Sequence, residues 1–257
     1  MCGRYSLTST GGEMWDLIDR TVPAAMKPPQ NVIEADFVKK KWQIAPNDWV
    51  RAIFPDGYTM AHWWLLPSWT LPGDFKWRVT GRGEKSFTWA PGKRYSHFNC
   101  RQETLTDPSN NYWFKLLGTQ RCLILANGFI EWSDAEMLKK GEKKRSALFY
   151  LKEHKTYFFA GVYDIAIDDQ GRAFPSVNIV TTQPNELLDA LPNDRMPAIL
   201  RDEDVSLWMD SKLGNREAAK LIRPTPKEEM EFHFLGPLIN KAANDVPEAL
   251  EPVQTPS

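Results

Sequence analysis

The chain has 257 residues, 42% of them hydrophobic and 25% charged, with 32 Lys plus Arg against 33 Asp plus Glu and a formal net charge of −1. This composition excludes a disordered or fibrous protein, and the length suffices for a substantial core without disulfide staples. The balanced charge excludes a global field that would draw the molecule onto nucleic acid or an anionic membrane, so any nucleic-acid site must be a local patch.

The predicted elements begin with residues 11–20 (GGEMWDLIDR), where Met14, Trp15, Leu17 and Ile18 recur at near-helical spacing. Residues 21–48 carry four prolines and read as an irregular connection. Short β-like runs follow at Val50–Phe54, Thr59–Leu66, Cys122–Ala126, Ala147–Leu151, Thr156–Tyr163 and Ser176–Thr182. Between about 67 and 120 periodicity is weak and Gly, Pro, Asn and Ser are frequent, which reads as a long ordered loop of the kind that often carries function. Asp202–Met209, with an Asp suited to capping, and Asn215–Ile222 read as helices. The proline-bearing end, residues 244–257, reads as a surface-bound or frayed tail. The expectation is an α+β fold, mostly β, forming one domain over residues 1–257 with its core at about 2–250. Strands do not alternate regularly with helices, so a doubly wound parallel sheet is excluded.

Cys2, Cys100 and Cys122 are odd in number, widely spaced and without a CxxC pair, which speaks against a disulfide framework and a zinc site. His62, His97, His154 and His233 are scattered without an HExxH pattern, so no metal is expected. The phosphate loops GxxxxGK[ST] and GxGxxG are absent, and no cofactor is expected. MCGRYSLTST lacks a signal-peptide core and no run reaches the roughly 18 apolar residues of a membrane span, so a cytoplasmic protein is expected. The 11 tryptophans are the oddest feature, clustering at Trp63, Trp64, Trp69, Trp77 and Trp89, either as core or as stacking surfaces for bases.

Cys2 is the most informative residue. Removal of Met1 would leave an α-amine and a thiol on adjacent carbons, able to attack an acyl carbon through sulfur or to condense with an aldehyde as a thiazolidine. The plain alternative is a cysteine that happens to follow a start methionine. Gly3 permits a tight terminus and Arg4 places a cation beside the nucleophile, or is simply a surface residue. Asn99-Cys100-Arg101-Gln102-Glu103-Thr104 gathers an amide, a cation and a carboxylate in one polar stretch. Glu131, between Ile130 and Trp132 after the apolar run RCLILA, is either a desolvated proton carrier or an exposed strand-end residue. In Pro192-Asn193-Asp194-Arg195-Met196-Pro197 two prolines frame a loop that presents Arg195, or merely connects strands.

Seven words in this order, MCGRYS, WWLLPSW, NCRQET, RCLILANGFIEW, FFAGVYD, VNIVTT and RMPAIL, resemble the SOS response-associated peptidase family from residue 2 to about 250. The resemblance implies a barrel-like, bifurcated antiparallel sheet with peripheral helices. It also implies a monomer that removes its own Met1 and cross-links Cys2 as a thiazolidine to the ring-opened sugar of an abasic site in single-stranded DNA. Carried onto this chain, Cys2 is the nucleophile, Asn99 holds the terminal amine or the sugar, and Glu131 shuttles protons. Arg4, Arg101 and Arg195 contact phosphates, Pro46, Trp69 and Trp132 pack against bases or the kinked backbone, and Thr181 lines the site. Two positions depart from the family pattern. Asn193 stands where a catalytic histidine usually precedes the Arg-Met-Pro word, and an amide carries no proton at neutral pH. Trp64 stands where Gly is usual. The rival readings are a non-covalent single-stranded DNA binder weakened by Asn193 and, from the MCG start, an N-terminal-nucleophile glutamine amidotransferase, whose RGxD-like loop is not found here.

Overall fold

The computed structural model describes residues 2–28, 40–70, 97–133, 145–168, 170–191 and 193–253, with 75–79 and 85–89 as backbone strands. In chain order come β1 (Arg4–Leu7), a helix at Gly11–Thr21, β2 (Lys41–Ile44), β3 (Trp49–Phe54), β4 (Gly57–Trp63) and the hairpin β5 (Phe75–Val79) with β6 (Lys85–Trp89). Next are β7 (Asn99–Arg101), helices at Gln102–Thr106 and Asn111–Thr119, β8 (Arg121–Ala126), β9 (Gly128–Trp132) and β10 (Ser146–Leu151). The chain continues with β11 (Tyr157–Ile167), β12 (Ala173–Thr182), β13 (Met196–Pro197), β14 (Ile199–Leu200), helices at Asp202–Met209 and Asn215–Leu221, and β15 (Met230–Phe234).

Strands β12, β4, β3, β8 and β11 pair in that order, and β11 pairs back onto β12, so five strands close into a barrel. Closure removes the free edges that an open sheet of apolar strands would expose. The apolar run RCLILA forms β8 and is buried along its whole length, as expected for a strand covered on both faces. Gly161 lets β11 lie against β8: a Cβ there would meet Cys122 Sγ at 2.7 Å and Ile124 Cδ1 at 2.9 Å. A second, fully antiparallel sheet runs β15-β10-β9-β1-β2. Tyr5 of β1 joins the two, meeting Trp63 and Phe159 edge-on at 5.2 and 5.5 Å between ring centres. The mostly β, α+β architecture with helices at the margins matches the expectation. The pairing is antiparallel except where β12 runs parallel to β4 and to β7.

Helix Gly11–Thr21 starts at a capping box between Thr10 and Glu13, buries Met14, Leu17 and Ile18, and ends before Pro23. Three other expectations need correction. The connection over 21–48 contains β2, which is held by β1 rather than by its own short pattern. The weakly periodic stretch to 120 contains β7 and two helices, because tertiary burial of Leu105, Leu116 and Leu117 stabilises segments whose local signal is faint. Helix Asp202–Met209 is preceded by Arg201 without a side-chain capping bond, and its acidic residues instead face the positive end of the helix dipole. Of the two readings of the C-terminal segment, surface-bound and frayed, the described residues fit the first: Ala249 is buried with Ile130 and Leu148, and Leu235 bridges to Pro252. Residues 254–257, Met1 and the side chains of Trp77 and Trp89 lie outside the described residues.

Candidate active site around Cys2

The antiparallel register Arg4 opposite Ile130 and Tyr5 opposite Phe129 carries the residue before β1 toward the end of β9, where Glu131 stands. Cys2 is fully buried there, in the same cluster as Tyr5 and Trp63. A parallel pairing of β7 with β12, Asn99 opposite Ile179, brings in the third group. Asn99 Nδ2 donates to the Cys2 carbonyl at 2.6 Å, and Asn99 Oδ1 is buried with no hydrogen-bond partner. Asn99 therefore holds Cys2 by its carbonyl oxygen.

Glu131 is 2% exposed and accepts a hydrogen bond from Asn193 Nδ2 on Oε2 at 2.9 Å, leaving buried Oε1 without a hydrogen bond. Asn193 Oδ1 in turn accepts from the Arg195 backbone N–H at 3.3 Å, which fixes the amide's orientation. Burial pushes the Glu131 carboxyl up to about 7, the Asn193 bond working in the opposite direction. Burial and the nearby Glu131 charge hold the Cys2 thiol well above its ordinary value, so it is protonated in this state. A carboxyl titrating near neutrality beside the first peptide unit and a protonated thiol can take up a proton and return it. Cys2, Asn99, Glu131 and Asn193 thus meet in space.

Arg101 and Arg195 stand two residues beyond Asn99 and Asn193 along the chain. Arg195 Nη1 donates to both carboxylate oxygens of Glu103 at 2.8 Å, and Arg101 faces Asp194 at 3.4 Å. Thr181, fully buried opposite Arg101 on β12, bonds the Cys100 carbonyl at 3.4 Å and steadies β7 rather than presenting a free hydroxyl. Arg4 is turned into the protein: its Nη1 donates to Gln43 Oε1 at 2.7 Å and to the Ile239 carbonyl, and its guanidinium lies 4.9 Å from the Trp132 ring centre. Trp132 is half-buried, with its Nε1 donating to Asn240 Oδ1 at 2.9 Å. Pro46 sits in the turn between β2 and β3, where Asn47 adopts a φ of 79° and Asp48 accepts from the Ala45 N–H at 2.9 Å. Trp69 stands 53% exposed, edge-on to Tyr112 at 4.4 Å. Trp64 lies 5.5 Å from Phe98, with its indole N–H buried.

The sequence places Glu103 in the NCRQET stretch and Asp194 in the NDRMP loop without assigning either an arginine partner, and it gives no signal for Gln183, which donates to Glu103. Among the described residues no group of three or more His, Cys, Asp or Glu is arranged to hold a metal, and no helix is long and apolar enough to cross a membrane. Two recesses, of about 330 Å³ near Arg201 and Arg223 and about 530 Å³ near Ser6 and Lys152, lie away from Cys2.

Residues 1–242 match the family model described as SOS response associated peptidase (SRAP). The chain is 28% identical over 256 residues to abasic site processing protein YoqW of Bacillus subtilis (strain 168), covering 98% of this chain and 99% of that protein. It is 27% identical over 260 residues to abasic site processing protein YoaM of the same organism, covering 98% of each. It is also 29% identical over 214 residues to abasic site processing protein HMCES of Gallus gallus, covering 75% of this chain and 56% of that protein. Among solved structures, a protein from Bacteroides thetaiotaomicron superposes with a TM-score of 0.72 at 20% identity, over 98% of this chain and 100% of that one. A phage-related protein from Bordetella bronchiseptica gives 0.61 at 18% identity, over 91% and 94%; both share the fold.

Proposed function

The chain belongs to the SOS response associated peptidase family, and on that footing we propose that it is a cytoplasmic, monomeric abasic-site sensor of single-stranded DNA that works through Cys2. The reading has two steps. Water cleaves the Met1–Cys2 peptide bond, releasing Met and leaving the Cys2 α-amine. That amine adds to the ring-opened sugar aldehyde and loses water to give an imine; the thiol then adds to the imine carbon, and its proton passes to nitrogen, closing a thiazolidine. Glu131 carries the protons in both steps, Asn99 fixes the first residue, and Arg101 and Arg195 take phosphates. Arg4 acts by bracing Trp132, which with Pro46 and Trp69 packs against bases or the kinked strand.

The observation that carries this reading is the convergence of Asn99 and Glu131 on the buried second residue, with the carboxyl poised near neutrality. The curated relatives, all named abasic site processing proteins, support the choice of substrate. Intact mass of the purified protein, alone and after incubation with single-stranded DNA carrying one abasic site, tests it. Loss of Met1 and a denaturation-resistant adduct are expected, and Cys2→Ala abolishes the adduct. An adduct that survives Cys2→Ala sinks the mechanism. Asn193 on Glu131 favours one alternative, a non-covalent binder, which would retain DNA in native gels yet lose it on denaturation.

A further inference from the structure

Each arginine assigned to phosphate by the proposed function is already closed on a carboxylate. The contacts cross between two segments: Arg195 reaches Glu103, and Arg101 reaches Asp194. The first pair is asymmetric, with side-chain exposures of 10% for Arg195 and 54% for Glu103. Arg195 is buried, whereas Glu103 is exposed and accepts a hydrogen bond from Gln183 Nε2 at 2.8 Å. A guanidinium takes carboxylate and phosphate oxygens in the same fork, so the two anions compete for one donor set. The exposed partner is the one that can leave, because it regains hydration by a side-chain rotation while the buried cation stays in place.

We propose that Glu103, seconded by Asp194, is an internal phosphate mimic that occupies the arginines of the site until a nucleic-acid phosphate displaces it. The inference rests on the single-stranded DNA reading above. Binding is then an exchange of one ion pair for another, which weakens attachment to any strand held by phosphates alone. Undamaged DNA is released readily, while a strand bearing an aldehyde is retained by the bond to Cys2.

Fluorescence anisotropy with a labelled oligonucleotide lacking an abasic site reads this step without Cys2 chemistry. Glu103→Gln is expected to bind about two- to tenfold more tightly than the wild type, because the competitor's charge is gone. The slope of log affinity against log salt is expected to steepen by up to about one ion. Asp194→Asn shifts affinity the same way by less, and Arg195→Gln weakens binding and cancels the gain in the double variant. If Glu103 only positions Arg195, Glu103→Gln binds equally or more weakly, and the inference is overturned while the DNA reading stands. A wild type that binds no single-stranded DNA at low salt removes both. Should Glu103→Gln melt below the assay temperature, Gln183→Ala, which frees Glu103 to leave, gives the same sign or overturns the proposal.

Discussion

At the scale of single residues, the chemistry turns on where protons reside. Ionising Glu131 forfeits hydration that one Asn193 amide replaces only in part, so the carboxyl rises from 4.5 to about 7. The folded chain holds this proton more tightly than the unfolded chain does. Its contribution to stability therefore falls as pH rises from about 4.5 through about 7 and levels off above. Denaturant titrations at pH 5 and pH 8 should differ by on the order of 2–3 kcal/mol from this group, and Glu131→Gln should lose that difference. Buried His62, held down to about 4, contributes with the opposite sign between about 4 and 6.5, so the test is the comparison: a pH dependence that Glu131→Gln leaves unchanged would mean a carboxylate ionised throughout. Asn193 contributes orientation and no proton, so the rate of adduct formation should follow the ionisation of Glu131 and that of the Cys2 α-amine, which must be neutral to attack. Asn193→His should add a further limb, because an imidazole titrates in the same range. Gel-resolved cross-linking rates from pH 5 to 9 would reveal it, and an unchanged profile would show that position 193 stands outside the proton path.

Elements differ in how openly they are written. The helix at Gly11–Thr21 has an apolar stripe, a capping box and a following proline, so each local rule agrees with the outcome. Strand β2 has none of this. Its four residues, KWQI, become a strand because β1 pairs on one side and the C-terminal segment serves the other: Asp245 Oδ1 accepts the N–H groups of Trp42 and Gln43 at 2.8 and 3.0 Å. Gln43 Nε2 donates to the carbonyls of Lys241 and Asn244, and Arg4 to that of Ile239. Residues 239–245 thus strap β2 and, through Arg4, the strand that follows Cys2. Asp245→Ala leaves two backbone donors without their acceptor and should cost about 1–3 kcal/mol. Amide exchange should accelerate in β2 and β1 before the barrel strands; uniform acceleration would show that the strap is not a separate unit.

For the whole molecule, barrel closure decides which distant residues become neighbours. Gly161 sits at the β8–β11 seam, and Gly161→Ala forces its new methyl against Cys122 and Ile124. Overpacking of this kind should cost about 1–3 kcal/mol in urea denaturation. A neutral result would mean that the seam relaxes by rotation of Ile124. Closure also sets β12 parallel to both β4 and β7, and the second pairing delivers Asn99 to Cys2 from 97 residues away.

The sequence by itself determined the composition class, the first helix, the apolar barrel strands and the residue types of the chemistry, because these rest on local periodicity and on what an N-terminal aminothiol can do. It named Cys2, Asn99, Glu131 and Asn193 but left their partners open. Only the tertiary structure decided that Asn99 takes the Cys2 carbonyl, that Asn193 holds Glu131, that Arg4 is spent on Gln43 and Trp132, and that Glu103 closes on Arg195. Those outcomes depend on burial and on pairing between segments far apart in the chain, which no local pattern encodes.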